Sequence, residues 1–243
     1  MHKEYKRIAE YPDKAILFIH GILGTPNHFA PFLELVPQSF SVYNILLDGH
    51  GKKATDFSKT SMEKWENQVL TAVNELAELH NEIYIVAHSL GCLLAIEQAV
   101  KNAKITKLFL LAVPLKLFLK PKMFTNSLKV YFNKLDAQNE ELLAAKACYG
   151  IEDDKNPLHY LGWIPRFLEL FSKIRKTREM ISSVNVPCIA CQSIKDEMVS
   201  RKSAKLLGQN SNISVTELEN SGHYYYAKDE LSLIKEKFVE FLF

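Results

Sequence analysis

The stretch that decides the fold is residues 83–96, IYIVAHSLGCLLAI. It begins with the apolar, β-branched run 83–86, which predicts a buried strand. It ends with a run of leucines and small residues at helical spacing. Ser89 lies between the two halves, flanked by Ala87 and Gly91, and small residues at these positions let a strand and a helix pass closely. The sequence therefore predicts a sharp strand-to-helix turn that lifts the Ser89 hydroxyl out of the backbone.

Ala87 makes this turn pattern looser than usual, because the position two residues before the serine is commonly Gly. The methyl group of alanine can be accommodated at this position, but so short a pattern also arises by chance. The interpretation of Ser89 as a nucleophile therefore depends on the side chains that the rest of the chain supplies.

Length and composition predict an ordinary globular domain. The chain has 243 residues, of which 47% are hydrophobic and 24% charged, and its formal net charge is +2. This length suits one large α/β domain, or one domain with an inserted subdomain. The sequence shows no glycine-rich phosphate loop, arginine-rich run or RNA-binding aromatic motif, so we expect no nucleic-acid partner.

Apolar runs in this sequence are short. The first one, residues 15–19, is too short for the core of a signal peptide, and no apolar segment approaches the length of a membrane span. These patterns predict a cytoplasmic protein without stable membrane insertion.

The four cysteines include a C-x-x-C pair, Cys188 and Cys191, which would suit a redox or metal site. Ile189 and Ala190 between them predict a buried strand, and residues three apart on a strand point to opposite faces. No second cysteine or histidine pair lies at zinc spacing. We therefore expect all four cysteines to be reduced and mostly buried, and we expect no metal site.

Strands and helices alternate along most of the chain. Apolar runs predict strands, and apolar residues at helical spacing predict helices, the longest of them with Ser61 as its N-cap. Besides the run around 83–86, the predicted strands are residues 14–20, 40–47, 105–113, 186–193 and 213–218. The predicted helices are residues 27–37, 61–80, 90–101, 199–207 and 229–243. Such alternation is typical of an α/β fold with a mostly parallel sheet and helices on both faces.

Residues 114–182 interrupt this alternation. The segment has no good strand pattern, is helical in character and carries many aromatic side chains. We interpret it as a helical cap inserted over the carboxyl ends of the strands, with the core formed by residues 1–113 and 183–243. Lysines alternate with aromatic residues over 116–134, so weak contact with a membrane interface is an alternative to a solvated cap.

Two glycine-containing loops follow the first two predicted strands. Residues 20–26, HGILGTP, suit a loop whose backbone N–H groups face a ligand, because glycines permit the necessary dihedral angles and a close approach. A plain β-turn is the alternative. Residues 48–51, DGHG, predict a tight turn. We assign His50 to that turn rather than to catalysis, because it precedes the serine in the chain.

Three candidate catalytic side chains, Ser89, Asp196 and His223, each follow a predicted strand. Parallel strands place their carboxyl ends at one edge of a sheet, so the three loops can converge. A serine hydroxyl is a poor nucleophile at neutral pH, but His223 can take its proton and later protonate the leaving group. Asp196 would fix the tautomer of His223 and stabilise its positive charge. Glu197 is an alternative acid, and turn roles are the alternative for Asp196 and His223.

The negative charge that develops on a substrate oxygen needs preorganised hydrogen-bond donors. One candidate is the backbone N–H of Leu90, directly after the serine and at a helix N-terminus. The other is the backbone N–H of Ile22 in the HGILGTP loop. These two groups form the predicted oxyanion hole.

The motifs together resemble those of small bacterial carboxylesterases and monoacylglycerol-lipase-like hydrolases, which have the α/β-hydrolase fold. The resemblance runs from about residue 15 to the C-terminus and rests on HGILGT at 20–25, DGHG at 48–51, AHSLG at 87–91, DEMV at 196–199 and SGH at 221–223. It implies a serine esterase that needs no cofactor and acts on short- to medium-chain acyl esters or monoacylglycerols. It also supports Asp196 over Glu197 as the acid.

Fold alone does not determine the reaction. Thioester hydrolysis, acyl transfer and carbon–carbon bond hydrolysis on the same scaffold are alternatives, and so is a ligand-binding protein that is not a catalyst. The aromatic residues of the predicted cap favour a small-molecule ester with an apolar acyl group as substrate.

Overall fold

A seven-stranded, mostly parallel β-sheet organises the molecule. The computed structural model describes residues 3–118, 138–152 and 154–243. The strands are β1 (Tyr5–Arg7), β2 (Lys14–Ile19), β3 (Phe40–Ile45), β4 (Lys52–Lys53), β5 (Glu82–His88), β6 (Ile105–Leu111), β7 (Ile151–Glu152), β8 (Cys188–Ser193) and β9 (Ile213–Leu218). The large sheet has the order β1-β3-β2-β5-β6-β8-β9, in which β1 alone is antiparallel to its neighbour.

Helices cover both faces of this sheet. The α-helices are α1 (Ala30–Leu33), α2 (Ala54–Ser58), α3 (Met62–Leu79), α4 (Leu90–Lys101), α5 (Glu140–Cys148), α6 (Ile164–Met180), α7 (Lys202–Leu207) and α8 (Lys228–Leu242). Short 3-10 helices span Pro26–Phe29, Pro157–Trp163 and Ile181–Ser183. The predicted fold class, a mostly parallel α/β sheet between helices, is confirmed.

The central strands are buried on both sides. In β2, Ile16 and Phe18 belong to the core on one face of the sheet, and Leu17 and Ile19 belong to the core on the other face. A strand covered on both faces needs apolar residues at every position. This is why β2 reads as a continuous apolar run rather than an alternating one.

Apolar helix faces complete the two cores. Trp65 of α3, Leu93 of α4 and Ile174 of α6 pack on one face, whereas Phe32 of α1 and Phe238 of α8 pack on the other. The predicted N-cap of α3 is also confirmed, because the Ser61 hydroxyl accepts a hydrogen bond of 3.1 Å from the backbone N–H of Lys64.

Two predictions of secondary structure are wrong at short elements. The edge strand β1 is missing from the predicted set, because it has three residues and exposes Tyr5 and Lys6, so it shows no apolar pattern. The predicted absence of strands from 114–182 is contradicted by β7, which pairs in parallel with β4. A strand of two residues leaves no periodic signal in a sequence.

Two predicted helices are shorter in the structure. The helix predicted at 27–37 is a 3-10 turn followed by the single turn of α1. The helix predicted at 199–207 begins only at Lys202, because the preceding backbone pairs with residues 116–118 instead. There the Phe118 N–H donates to the Met198 carbonyl at 2.9 Å, and the Ser200 N–H donates to the Lys116 carbonyl at 2.8 Å.

The two α-helices described within the predicted insertion lie in different places. Helix α6 packs against α3 and α4 and adds Leu170 and Ile174 to the core. Helix α5 lies against the 3-10 turn Pro26–Phe29. The lysine-rich and aromatic stretch 119–137 lies outside the described residues, so the division into core and cap stays a prediction. No helix of the described segments has the length and apolar character to cross a bilayer.

Candidate active site

Ser89 occupies a strained turn between β5 and α4. Its backbone has φ 53° and ψ −120°, in the left-handed range that residues with a side chain rarely adopt. The Ser89 N–H donates to the Leu111 carbonyl of β6 at 2.9 Å, which holds the turn against the sheet. A Cβ atom on Gly91 would lie 2.1 Å from the Ile19 carbonyl oxygen, so a side chain has no room there. Ala87, which occupies the position two residues before the serine where Gly is common, is fully buried.

The structure brings the three predicted catalytic side chains into one hydrogen-bonded line. His223 Nε2 lies 3.2 Å from Ser89 Oγ, and His223 Nδ1 lies 2.8 Å from Asp196 Oδ2. The other oxygen, Asp196 Oδ1, accepts hydrogen bonds of 2.7 Å from the backbone N–H groups of Met198 and Val199. An Nδ1–H group that donates to Asp196 leaves Nε2 as the acceptor that faces the serine hydroxyl.

His223 is buried, yet its pKa is raised above the ordinary histidine value. Burial opposes the charged imidazolium, but the charge of Asp196, the hydrogen bond to Asp196 and the charge of Glu197 together outweigh it. The site is therefore arranged to stabilise a proton on this ring, which is what a group that accepts a serine proton requires.

Glu197, the alternative acid, is hydrogen-bonded to the backbone of His223. Its Oε2 accepts a hydrogen bond of 3.0 Å from the backbone N–H of His223 and so holds the loop that carries the imidazole. The distances assign the ring contact to Asp196. This supporting role of Glu197 was not predicted from the sequence. The feature that could have indicated it is the position of Glu197 directly after Asp196.

Two further histidines lie behind His223 and were not predicted to belong to the site. His88 Nε2 lies 2.9 Å from the His223 carbonyl oxygen, which requires His88 to donate. The rings of His28 and His88 stack with centroids 4.0 Å apart. Burial lowers the pKa of His28 to about 3, with a further contribution from His223, and burial also lowers the pKa of His88 well below its ordinary value. Both rings are therefore neutral packing and hydrogen-bonding groups.

The loop after β2 lies directly against the serine. A Cβ atom on Gly21 would lie 2.9 Å from Ser89 Cβ. The Gly24 N–H donates to the Gly21 carbonyl at 3.0 Å and closes a tight turn, in which Leu23 has a φ of 58°. Within the part of the chain that the structure describes, no acceptor is hydrogen-bonded to the N–H groups of Ile22 and Leu90. The role of these two N–H groups as oxyanion donors stays a prediction.

His50 braces this loop from the neighbouring turn. Its Nε2 accepts a hydrogen bond of 3.1 Å from the Leu23 N–H, and its Nδ1 donates to the Leu47 carbonyl at 3.1 Å. Burial lowers the pKa of His50 to about 4, against the opposing effect of hydrogen bonds to backbone carbonyls, so the ring is neutral. The predicted assignment of His50 to turn structure is confirmed.

The cysteines are free and buried, as predicted. Cys188 and Cys191 belong to the cores on opposite faces of the sheet, and burial raises the pKa of both thiols. Among residues 3–118, 138–152 and 154–243, no group of three or more His, Cys, Asp or Glu side chains has a metal-binding arrangement.

Comparison with known proteins identifies the family to which this chain belongs. The sequence profile described as the alpha/beta hydrolase family matches residues 16–230. The chain therefore belongs to the alpha/beta hydrolase family.

Among curated proteins, the chain is similar to a probable lysophospholipase, BODYGUARD 4 of Arabidopsis thaliana. The two are 27% identical over 117 residues, which is 46% of this chain and 27% of that protein. The match thus spans about a quarter of the length of this relative.

Solved structures show the same fold over the whole chain. A structure of the metagenome-derived lipolytic enzymes LipS and LipT aligns with a TM-score of 0.75 and 16% identity, covering 99% of this chain and 97% of that chain. The monoacylglycerol lipase of Paleococcus ferrophilus aligns with a TM-score of 0.69 and 16% identity, covering 99% of both chains.

Proposed function

We propose that this protein is a serine hydrolase that cleaves carboxylic esters through an acyl-enzyme on Ser89. The observation that carries the proposal is the hydrogen-bonded line from Ser89 through His223 to Asp196. Two further observations support it: Leu90 directly follows Ser89 at the start of α4, and Gly21, the residue before Ile22, packs against Ser89. Nucleophile, base, orienting acid and oxyanion donors are the parts that acyl transfer needs.

In the first half of the proposed reaction, the Ser89 hydroxyl attacks the ester carbonyl carbon as His223 Nε2 takes its proton. The carbonyl oxygen becomes negatively charged and accepts hydrogen bonds from the Ile22 and Leu90 N–H groups. Asp196 stabilises the imidazolium at His223 Nδ1. The tetrahedral intermediate collapses, the bond to the alcohol oxygen breaks, and His223 returns the proton to the leaving alcohol.

In the second half, water replaces the alcohol. His223 removes a proton from the water as it attacks the acyl carbon, and the same two N–H groups hold the oxyanion again. Collapse of this intermediate releases the carboxylic acid, and the proton on His223 returns to Ser89 Oγ.

The proposed substrates are short- to medium-chain acyl esters or monoacylglycerols, bound by an apolar acyl pocket and without a cofactor. The sequence motifs support this class, and so does the similarity to proteins described as lipolytic enzymes, a monoacylglycerol lipase and a probable lysophospholipase. A cytoplasmic location, a cap over residues 114–182 and weak contact of that cap with a lipid interface belong to the same proposal.

The test is a substrate panel with wild-type protein and Ser89→Ala. The panel contains p-nitrophenyl esters of increasing acyl length, monoacylglycerols and acyl-thioesters. We expect ester turnover by the wild type, and a loss of at least about 10³-fold in kcat for Ser89→Ala with an unchanged thermal transition. Turnover of thioesters alone, ligand-induced stabilisation without turnover, or equal activity of the variant would contradict the proposal.

A further inference from the structure

Gly150 connects the two glycine-containing loops of the site through its backbone. Its N–H donates to the Leu23 carbonyl at 2.8 Å, and its carbonyl accepts a hydrogen bond of 2.6 Å from the Gly51 N–H. Directly after it, β7 pairs with β4. A residue from the segment between β6 and β8 is thereby hydrogen-bonded to the loop that carries Ile22, one of the two proposed oxyanion donors.

No side chain fits at this position. A Cβ atom on Gly150 would lie 2.3 Å from Thr25 Cγ2 and 2.4 Å from the Gly24 carbonyl oxygen. The second contact is with backbone, which cannot rotate away as a flexible side chain can. Any residue other than glycine must therefore change the distance between the Gly150 segment and the loop that contains Gly24 and Thr25.

The conformation of Leu23 depends on this contact. Its φ of 58° costs about 1 kcal/mol or more for a residue with a side chain, so neighbouring groups must hold it. The Leu23 N–H donates to His50, and the Leu23 carbonyl accepts from Gly150. The backbone N–H and carbonyl groups of Leu23 are thus both hydrogen-bonded, the first to His50 and the second to Gly150.

The direction of the Ile22 N–H follows from the same turn. Leu23 brings the Gly24 N–H to within 3.0 Å of the Gly21 carbonyl, which also lies 2.8 Å from His20 Nδ1. A trans peptide is planar, with its C=O and N–H groups pointing in opposite directions. Fixing the Gly21 carbonyl therefore fixes the Ile22 N–H of the same peptide.

We propose that Gly150 is a positioning residue for the oxyanion hole, acting through Leu23 on the Ile22 N–H. The inference rests on the proposed ester hydrolysis. The segment around Gly150 is anchored on both sides, because Cys148 Sγ lies 3.5 Å from His28 Nδ1 and Ile151 is buried in the core.

The test is Gly150→Ala, assayed with p-nitrophenyl butyrate and normalised to Ser89 sites titrated with a fluorophosphonate. Removing one oxyanion donor costs about 10²- to 10³-fold in kcat, and a displaced donor costs part of that. We expect kcat to fall about 10- to 100-fold, with KM within about twofold of wild type. The Ki of a trifluoromethyl ketone, whose hemiketal oxygen occupies the hole, should rise by the factor by which kcat/KM falls.

Gly208→Ala is the matched control, because its Cβ would make only an ordinary 3.5 Å contact with the Ala204 carbonyl oxygen, and it should leave kcat and Ki unchanged. A folded Gly150→Ala with wild-type kcat and Ki overturns the inference. If that variant does not fold, Ile151→Ala loosens the same segment without crowding the loop. It should lower kcat several-fold at unchanged KM, and an unchanged kcat overturns the inference equally.

The outcomes separate this inference from the proposed function. Absence of turnover in the wild type, or its persistence in Ser89→Ala, refutes ester hydrolysis on Ser89. An active wild type, an inactive Ser89→Ala and an unaffected Gly150→Ala refute the role of Gly150 alone.

Discussion

Ser89 combines an unfavourable backbone conformation with close packing on every side. A left-handed residue with a side chain costs about 1–3 kcal/mol, and such strain persists only where the surroundings over-determine it. Here the Leu111 carbonyl accepts a hydrogen bond from the Ser89 N–H, and Gly91 packs closely against the backbone of Ile19. The strain directs the hydroxyl toward His223, where the proposed chemistry needs it.

Glu197 provides a prediction at this scale. In Glu197→Gln the amide oxygen can still accept from the His223 N–H, but the negative charge that raises the pKa of His223 is lost. Because turnover needs a neutral His223, the acidic limb of the kcat/KM profile should move to lower pH. The measurement is kcat/KM for p-nitrophenyl butyrate across the histidine range.

Glu219→Gln is the control for the change in charge, because Glu219 is not hydrogen-bonded to His223 in the described structure. The pH profile of kcat/KM for this variant should match that of the wild type. A Glu197→Gln profile that coincides with the wild type, or moves to higher pH, would show that Glu197 does not influence His223.

At the scale of elements, the terminal helix α8 closes one face of the sheet. Its buried residues Ile234, Phe238 and Phe241 recur at helical spacing. The centroid of the Phe238 ring lies 5.2 Å from that of Phe32 and 5.4 Å from that of Phe109. Helix α8 therefore links α1 to β6 through aromatic contacts. Hydrophobic periodicity in the sequence is sufficient to predict such a helix.

Phe238→Ala should destabilise the protein by about 3–5 kcal/mol, because it removes a fully buried ring and leaves a cavity. For a chain of this size this corresponds to a fall in Tm of about 10 °C. Val239→Ala, at a position 42% exposed on the same helix, should change the free energy of unfolding by less than about 0.5 kcal/mol. Equal Tm values for the two variants in thermal unfolding would contradict this account of the helix.

Prediction from the sequence is most successful for long helices and strands with a regular hydrophobic pattern. It is also successful for candidate catalytic residues that directly follow a strand. Ser89, Asp196 and His223 follow buried strands, so parallel topology places them at one edge. The edge strand Tyr5–Arg7 has no apolar pattern to detect. Glu197 is hydrogen-bonded to the backbone of His223, and Gly150 to the backbone of Leu23. These partners are distant in the chain, so the contacts become visible only in the folded structure.

At the scale of the whole molecule, a buried lysine ties α6 to the sheet-covering helices. Lys173 is 4% exposed and forms ion pairs with Glu66 of α3, at 2.6 Å, and with Glu97 of α4. One cation thus joins three helices that are far apart in sequence. Removing it would leave Glu66 without its cation and would leave Glu97 paired with Lys101 alone.

Lys173→Met should therefore lower the free energy of unfolding by about 2–3 kcal/mol, somewhat less than for a fully buried pair because Glu66 is partly exposed. The exposed Lys176→Met on the same helix should change it by less than about 0.5 kcal/mol. The check is denaturant unfolding of both variants. An unchanged midpoint for Lys173→Met would show that these two ion pairs do not stabilise the protein.

Peptide mapping after reaction with a fluorophosphonate tests whether Ser89 is the nucleophile of a hydrolase. We expect one phosphonyl group per chain, located on Ser89, with labelling lost in Ser89→Ala and greatly slowed in His223→Ala. An unlabelled wild-type protein, or an adduct on any other residue, would contradict it.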